Sequence, residues 1–186
     1  MLCGIDEAGR GALAGELVVA GCAFKPGFDD ELSALVADSK MLSEKKREQI
    51  YNEILPKCDY LVLFFSNNII DERGLSWCLK RALMTLEAHF KGYDLLFDGN
   101  CNYGESLVKT MIKADSLIAQ VSAASIIAKV SRDRQMRRFS ALYPLFDYDK
   151  HKGYGTKAHL QALAKYGKNE LTRRSFRLSF RLSLFD

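Results

Sequence analysis

Gly4-Ile5-Asp6-Glu7-Ala8-Gly9-Arg10-Gly11 is the stretch from which the fold and the chemistry are read. Residues 2–6 form a short apolar strand candidate, so two adjacent carboxylates fall where that strand ends. An arginine between two glycines follows at once. Carboxylates at a backbone turn are hard oxygen ligands of the kind Mg²⁺ or Mn²⁺ takes. A glycine-flanked arginine brings a guanidinium and bare backbone N–H groups close to a phosphate. Acid pair then basic loop points to a metal and a phosphodiester; a solvated acidic turn is the plain alternative. Neighbours on a regular strand point to opposite faces, so Asp6 and Glu7 share one site only if the backbone turns or bulges there.

Three further strand candidates follow: Leu17–Phe24, Tyr60–Phe65 and Tyr93–Asp98, the last closed by Gly99-Asn100. Helices are expected over Ser43–Leu55, with Ser43 as N-cap and Pro56 as stop, and over Leu75–Phe90. The longest is expected from Ser116 to about Leu142, and a last one from Lys157 to Tyr166, ended by Gly167. Small residues at Ser122-Ala123-Ala124-Ser125 let another element pack close against the long helix. Strands early and then between helices predict an α/β domain. The motif Gly9-Arg10-Gly11-Ala12-Leu13-Ala14 also matches a dinucleotide fingerprint. That fingerprint must open a helix, whereas residues 17–24 read as a strand.

The chain of 186 residues fits one domain, residues 1–186, with about 143–186 as a basic helical C-terminal part. An apolar share of 48% suffices for a packed core. The net charge of +4 is unevenly spread: Lys150 to Leu182 holds nine Lys/Arg and one acid, Glu170. This suggests a polyanion partner, with a solvated basic face as the alternative. Five cysteines at wide spacing, without a C-x-x-C pair, indicate neither a disulfide framework nor a zinc site; buried thiols are expected. No apolar run approaches the ~18 residues of a membrane span. No room for a signal peptide precedes Asp6. A cytoplasmic protein is expected, and nothing demands more than a monomer. His151 is expected at the surface, and none of His89, His151 and His159 has a partner at metal-ligand spacing.

Two other acids stand where an α/β fold gathers side chains. Asp98 ends the fourth strand candidate, and Asp115 precedes the long helix in Lys113-Ala114-Asp115-Ser116. Taken singly, Asp98-Gly99 could be a turn and Asp115 a dipole-favouring helix acid. Four clustered carboxylates would repel one another unless cations sat between them. That is the arrangement two hard metal ions need for in-line phosphodiester displacement.

With these motifs, Lys152-Gly153-Tyr154-Gly155-Thr156, Asp38-Ser39-Lys40-Met41-Leu42-Ser43, the stretch Ser122–Lys129 and the closing Arg173-Arg174-Ser175-Phe176, the chain resembles bacterial ribonuclease HII over nearly its whole length. The resemblance implies an RNase H-like α/β fold with a central mixed sheet flanked by helices and a helical C-terminal region. It implies cleavage of RNA in RNA–DNA hybrids and 5′ of single ribonucleotides embedded in duplex DNA. The catalytic and metal-binding carboxylates map onto Asp6, Glu7, Asp98 and Asp115, holding two Mn²⁺ or Mg²⁺ ions. The junction-recognising loop maps onto Gly9, Arg10 and Gly11, and the stacking tyrosine onto Tyr154. Lys40 and the basic residues after Lys150 would hold phosphates. Ala12 and Glu16 stand where the family commonly has prolines, and an added carboxylate at Glu16 is expected near the phosphate path. The alternatives are a non-catalytic nucleic-acid-binding module, which has no use for four acids in one pocket, and a ribonuclease HIII-type enzyme of the same fold.

Overall fold

The computed structural model describes residues 1–37 and 43–177. Five strands form one mixed sheet: β1 (Leu2–Ala8), β2 (Leu17–Phe24), β3 (Cys58–Phe65), β4 (Asp94–Asp98) and β5 (Val108–Met111), in the order β3-β2-β1-β4-β5. β1 pairs antiparallel with β2, and β2 with β3. β1 runs parallel to β4, and β4 to β5. The parallel half therefore presents the carboxyl ends of β1 and β4 side by side.

The helices are α1 (Asp30–Ala37), α2 (Glu44–Ile54), α3 (Asn67–Arg73), α4 (Leu75–His89), α5 (Ala119–Leu142), α6 (Tyr148–His151) and α7 (Lys157–Tyr166). Ser43 caps α2 as expected, its hydroxyl accepting from the Lys46 N–H, and Thr156 caps α7 through the His159 N–H. The long helix starts three residues later than expected because Ala114–Ser116 form a separate 3₁₀ turn. The short elements α1, α3, α6 and β5 are additions to the sequence reading.

Strand alternation sorts the core into two layers. On one face Cys3, Ile5, Leu17, Val19 and Phe97 pack against Leu79, Leu83 and Leu86 of α4. On the other, Val18, Ala20 and Cys22 pack against α1, α2 and the small residues Ala123, Ala124 and Ala128 of α5. Gly4 marks the tightest approach: a β-carbon there would run into the backbone of Gln120 and Val121. A third cluster joins Ala14 to Met136, Phe146, Tyr148, Leu163 and Leu171, so the C-terminal helices pack on the end of α5 and on the loop after β1.

Four of the five cysteines are buried, while Cys101 is exposed, contrary to expectation, because it lies in the connection after β4. His151 is also not at the surface. It is buried, its ring stacked 4.4 Å from that of His159, with Nε2 2.7 Å from the Phe146 carbonyl. Among the described residues no helix is long and apolar enough to cross a membrane.

Two consequences for stability follow from this packing. Gly4→Ala forces α5 off β1 and should cost about 2–3 kcal/mol, a fall in Tm of about 5–10 °C by calorimetry. His159 is fully buried, and burial pushes its pKa down to about 4. A depressed histidine pKa gives stability that is complete above the unfolded value near 6.5 and is lost as pH falls through about 4. By linkage the loss between pH 7 and 4.5 should be about 2–3 kcal/mol in urea titrations. His159→Gln, which cannot titrate, should show a smaller loss over the same range.

Candidate active site

The acids converge because of strand direction. Ile5 of β1 pairs with Phe97 of β4, both facing the α4 layer. One residue further, Asp6 and Asp98 therefore project side by side onto the α5 face. The 3₁₀ turn at Ala114–Ser116 brings up Asp115, and the Ala114 N–H donates to Asp98 Oδ1 at 2.9 Å, tying that turn to the end of β4. Carboxylate oxygens of Asp6, Asp98 and Asp115 lie within 4.8 Å of one another.

Glu7 behaves differently. The β1–β2 ladder runs unbroken through Glu7–Val19 and Ala8–Val18, so no bulge turns the two acids to one face. Glu7 leaves β1 on the side opposite Asp6, and its carboxylate sits beside the group of three. One oxygen takes a 3.4 Å ion pair from Arg10, while Oε2 is buried without a hydrogen-bond partner. Glu7 separates two clefts. One of about 390 Å³ is lined by Glu7, Arg10, Asp98, Gly99, Asn100, Ile112, Lys113 and Asp115. The other, of about 270 Å³, is lined by Glu7, Ala8, Arg47, Ser125, Ile126, Lys129 and Tyr154.

The electrostatics suit a cation. Burial raises the pKa of Asp6 to about 8; a hydrogen bond from Ser125 offsets this in part, and the charges of Glu7 and Asp98 add to it. Glu7 is also raised, chiefly by burial, against the opposing pull of Arg10. Without a cation the site resists full ionisation. Three converging carboxylates and a fourth with a partnerless buried oxygen are an all-oxygen donor set that fits Mg²⁺ or Mn²⁺.

The glycine loop is built from behind by two buried arginines. Arg132 of α5 is fully buried and donates to three carbonyls: Nε to Glu16 (2.8 Å), Nη1 to Lys152 (2.8 Å) and Nη2 to Ala14 (3.1 Å). Arg173 donates to the carbonyls of Gly15 (2.9 Å) and Arg10 (3.1 Å). Gly9 has φ 88°, and a β-carbon there would strike the Arg132 side chain. A β-carbon on Gly11 would meet nothing, leaving that backbone open to a partner. The Gly9 N–H donates to the Tyr154 hydroxyl at 3.2 Å, and the Tyr154 ring lies 5.1 Å from the Arg132 guanidinium and 5.7 Å from Lys129 Nζ.

Asp6, Asp98 and Asp115 are thus brought together, with Glu7 alongside, and Gly9, Arg10, Gly11 and Tyr154 form the adjoining wall. Lys40 lies outside the described residues, as does the Asp38–Leu42 part of its motif. Glu16 is half-buried, and burial raises its pKa while the nearby Arg132 charge opposes the rise. Ala12 is fully buried. Sequence reasoning missed Ser125 and Arg132 as parts of the site. The helical spacing Ser125, Ala128, Arg132, Met136 would have put Arg132 on the buried face.

Comparison with known proteins gives the family. The family model for Ribonuclease HII matches residues 3–89 and 100–182, leaving Asp98 in the short gap between. A ribonuclease HII of Campylobacter concisus is 51% identical over 175 residues, covering 94% of this chain and 92% of the relative. The ribonuclease HII in a complex with PCNA from Archaeoglobus fulgidus superposes with a TM-score of 0.81 at 32% identity, covering 94% of this chain and 92% of that one. Ribonuclease H2 of Pyrococcus horikoshii gives 0.78 at 28% identity, covering 94% and 93%. A solved ribonuclease HIII, Bst-RNase HIII in complex with Mn²⁺, shares the fold at a TM-score of 0.74 and 20% identity, but the matching family model and the relative at 51% identity are of the HII type, and the chain belongs to the ribonuclease HII family, metal-dependent endoribonucleases that act on the RNA of RNA–DNA hybrids.

Proposed function

We propose that this chain hydrolyses RNA in RNA–DNA hybrids and also cuts 5′ of a single ribonucleotide embedded in duplex DNA, as one catalytic unit that works as a monomer in the cytoplasm. The observation that carries the reading is the convergence of Asp6, Asp98 and Asp115 within 4.8 Å on one open face. Asp6, Glu7, Asp98 and Asp115 hold two Mn²⁺ or Mg²⁺ ions. When bound, these ions supply activation of the attacking water and stabilisation of the departing 3′ oxygen. The water oxygen bonds to phosphorus and the bond from phosphorus to the 3′ oxygen breaks, leaving a 3′-hydroxyl and a 5′-phosphate.

The chain's own contribution is orientation. The Ala114 N–H fixes Asp98, and Ser125 holds Asp6. Gly9, Arg10, Gly11 and Tyr154 select the ribonucleotide. The 2′-hydroxyl both donates and accepts, so a bare backbone can sense it. The open flank of Gly11 supports that approach, while the Gly9 N–H is already committed to Tyr154. The Tyr154 ring packs against the next sugar. Phosphates are held by Lys40, by resemblance alone, and by basic side chains after Lys150, contacts that position without reading sequence.

Asp98→Asn keeps an oxygen to accept from Ala114 but loses the charge. It should lower kcat at least 10³-fold on a duplex carrying one ribonucleotide while leaving the metal-free Tm within about 2 °C. A variant cutting at the parental rate would remove Asp98 from the site. Mn²⁺ at 100 times its Kd should stabilise the parent by about 2.7 kcal/mol, read as a rise in Tm. Asp6→Asn should lose most of that rise, and an equal rise in both proteins would count against metal binding by this carboxylate.

A further inference from the structure

Arg10 is the one member of the glycine loop whose side chain reaches across the mouth of the acidic cleft. Its Nη1 makes the 3.4 Å pair with Glu7, and its Nη2 donates to the Tyr103 hydroxyl at 3.0 Å. Tyr103 lies in the connection from β4 to β5, five residues after Asp98, and no part of the sequence reading singled it out. Its backbone is left-handed, φ 55°, which a non-glycine residue rarely adopts without support. The support is local. The Tyr103 N–H donates to Cys101 Sγ (3.3 Å), the Gly104 N–H donates to Asn102 Oδ1 (3.2 Å), and the Tyr103 ring packs against the α4-side core.

We propose that Tyr103 is a positioning residue for substrate binding: its hydroxyl holds the Arg10 guanidinium across the cleft so that the remaining N–H groups meet a phosphate of the duplex. The inference rests on the reading that Arg10 contacts substrate. The physical reason is preorganisation. Arg10 is 48% exposed, and a free arginine side chain loses rotamer freedom when it binds. The contact to Glu7 is long, and Glu7 is itself a proposed metal donor, so the shorter bond to Tyr103 is the firmer anchor. The hydroxyl also keeps the guanidinium from collapsing onto the carboxylates, where it would compete with cations.

Tyr103→Phe removes only the hydroxyl. With a duplex carrying one ribonucleotide, KM should rise about 3–10-fold while kcat stays within about twofold. Arg10→Ala should raise KM further and lower the salt dependence of binding by about one phosphate contact. In the Arg10→Ala background, Tyr103→Phe should then change nothing, because the two residues act as one unit. Equal KM increments from Tyr103→Phe in both backgrounds, or a parental KM for Tyr103→Phe beside a raised one for Arg10→Ala, would overturn the proposal and leave the Arg10 reading standing. An unchanged KM for Arg10→Ala would overturn both. A fall in Tm without the KM change would show Tyr103 to be structural only, against the proposal.

Discussion

The buried guanidinium of Arg132 is the constraint on which the working face depends. Among the described residues it has no bidentate carboxylate partner. It is satisfied by the carbonyls of Ala14, Glu16 and Lys152, drawn from two loops far apart in the chain. Burying a charge is costly unless each donor finds an acceptor, so once Arg132 is in place the carbonyls it uses have little freedom to move. The same guanidinium lies against the Tyr154 ring and under Gly9, so α5, the glycine loop and the Tyr154 motif meet at one side chain. Arg173 repeats the device from the C-terminal side through the carbonyls of Gly15 and Arg10.

The acids need a different kind of support. Three of them are held by the main chain or by hydroxyls: Asp98 by the Ala114 N–H, Asp6 by the Glu7 N–H and Ser125, and Asp115 beside the Ser116 hydroxyl. These contacts orient the oxygens through uncharged donors. Glu7 takes a long ion pair from Arg10. Two buried arginines thus shape the wall of the site, while burial and mutual repulsion among the acids favour a cation between them.

Much of this was legible in the sequence. The bounds of β2 and α7 agree with their patterns, and the caps at Ser43 and Thr156 are local chemistry that a sequence displays. The three aspartates could be picked out because each sits at a strand end or helix approach. What was not legible is long-range. That Asp6 and Glu7 leave an unbulged strand on opposite faces depends on the ladder to β2. The burial of His151 depends on stacking against His159, eight residues on, in a cluster that forms only when α6 and α7 dock. Tyr103 carried no pattern at all: its place is set by a left-handed turn and by Arg10, 93 residues away. The 3₁₀ turn carrying Asp115 was not foreseen as an element of its own: it ends at Ser116, where the long helix was expected to begin.

The bond from Arg173 to the Arg10 carbonyl joins residues 163 positions apart. A ribosome therefore finishes almost the entire described chain before the loop next to the first acids can set. Until then the nascent polypeptide carries Asp6 and Glu7 without the loop contacts that Arg173 supplies, and local order in the strands does not by itself build the site. The loop beside the first acids is thus set by contacts from the far end of the described chain.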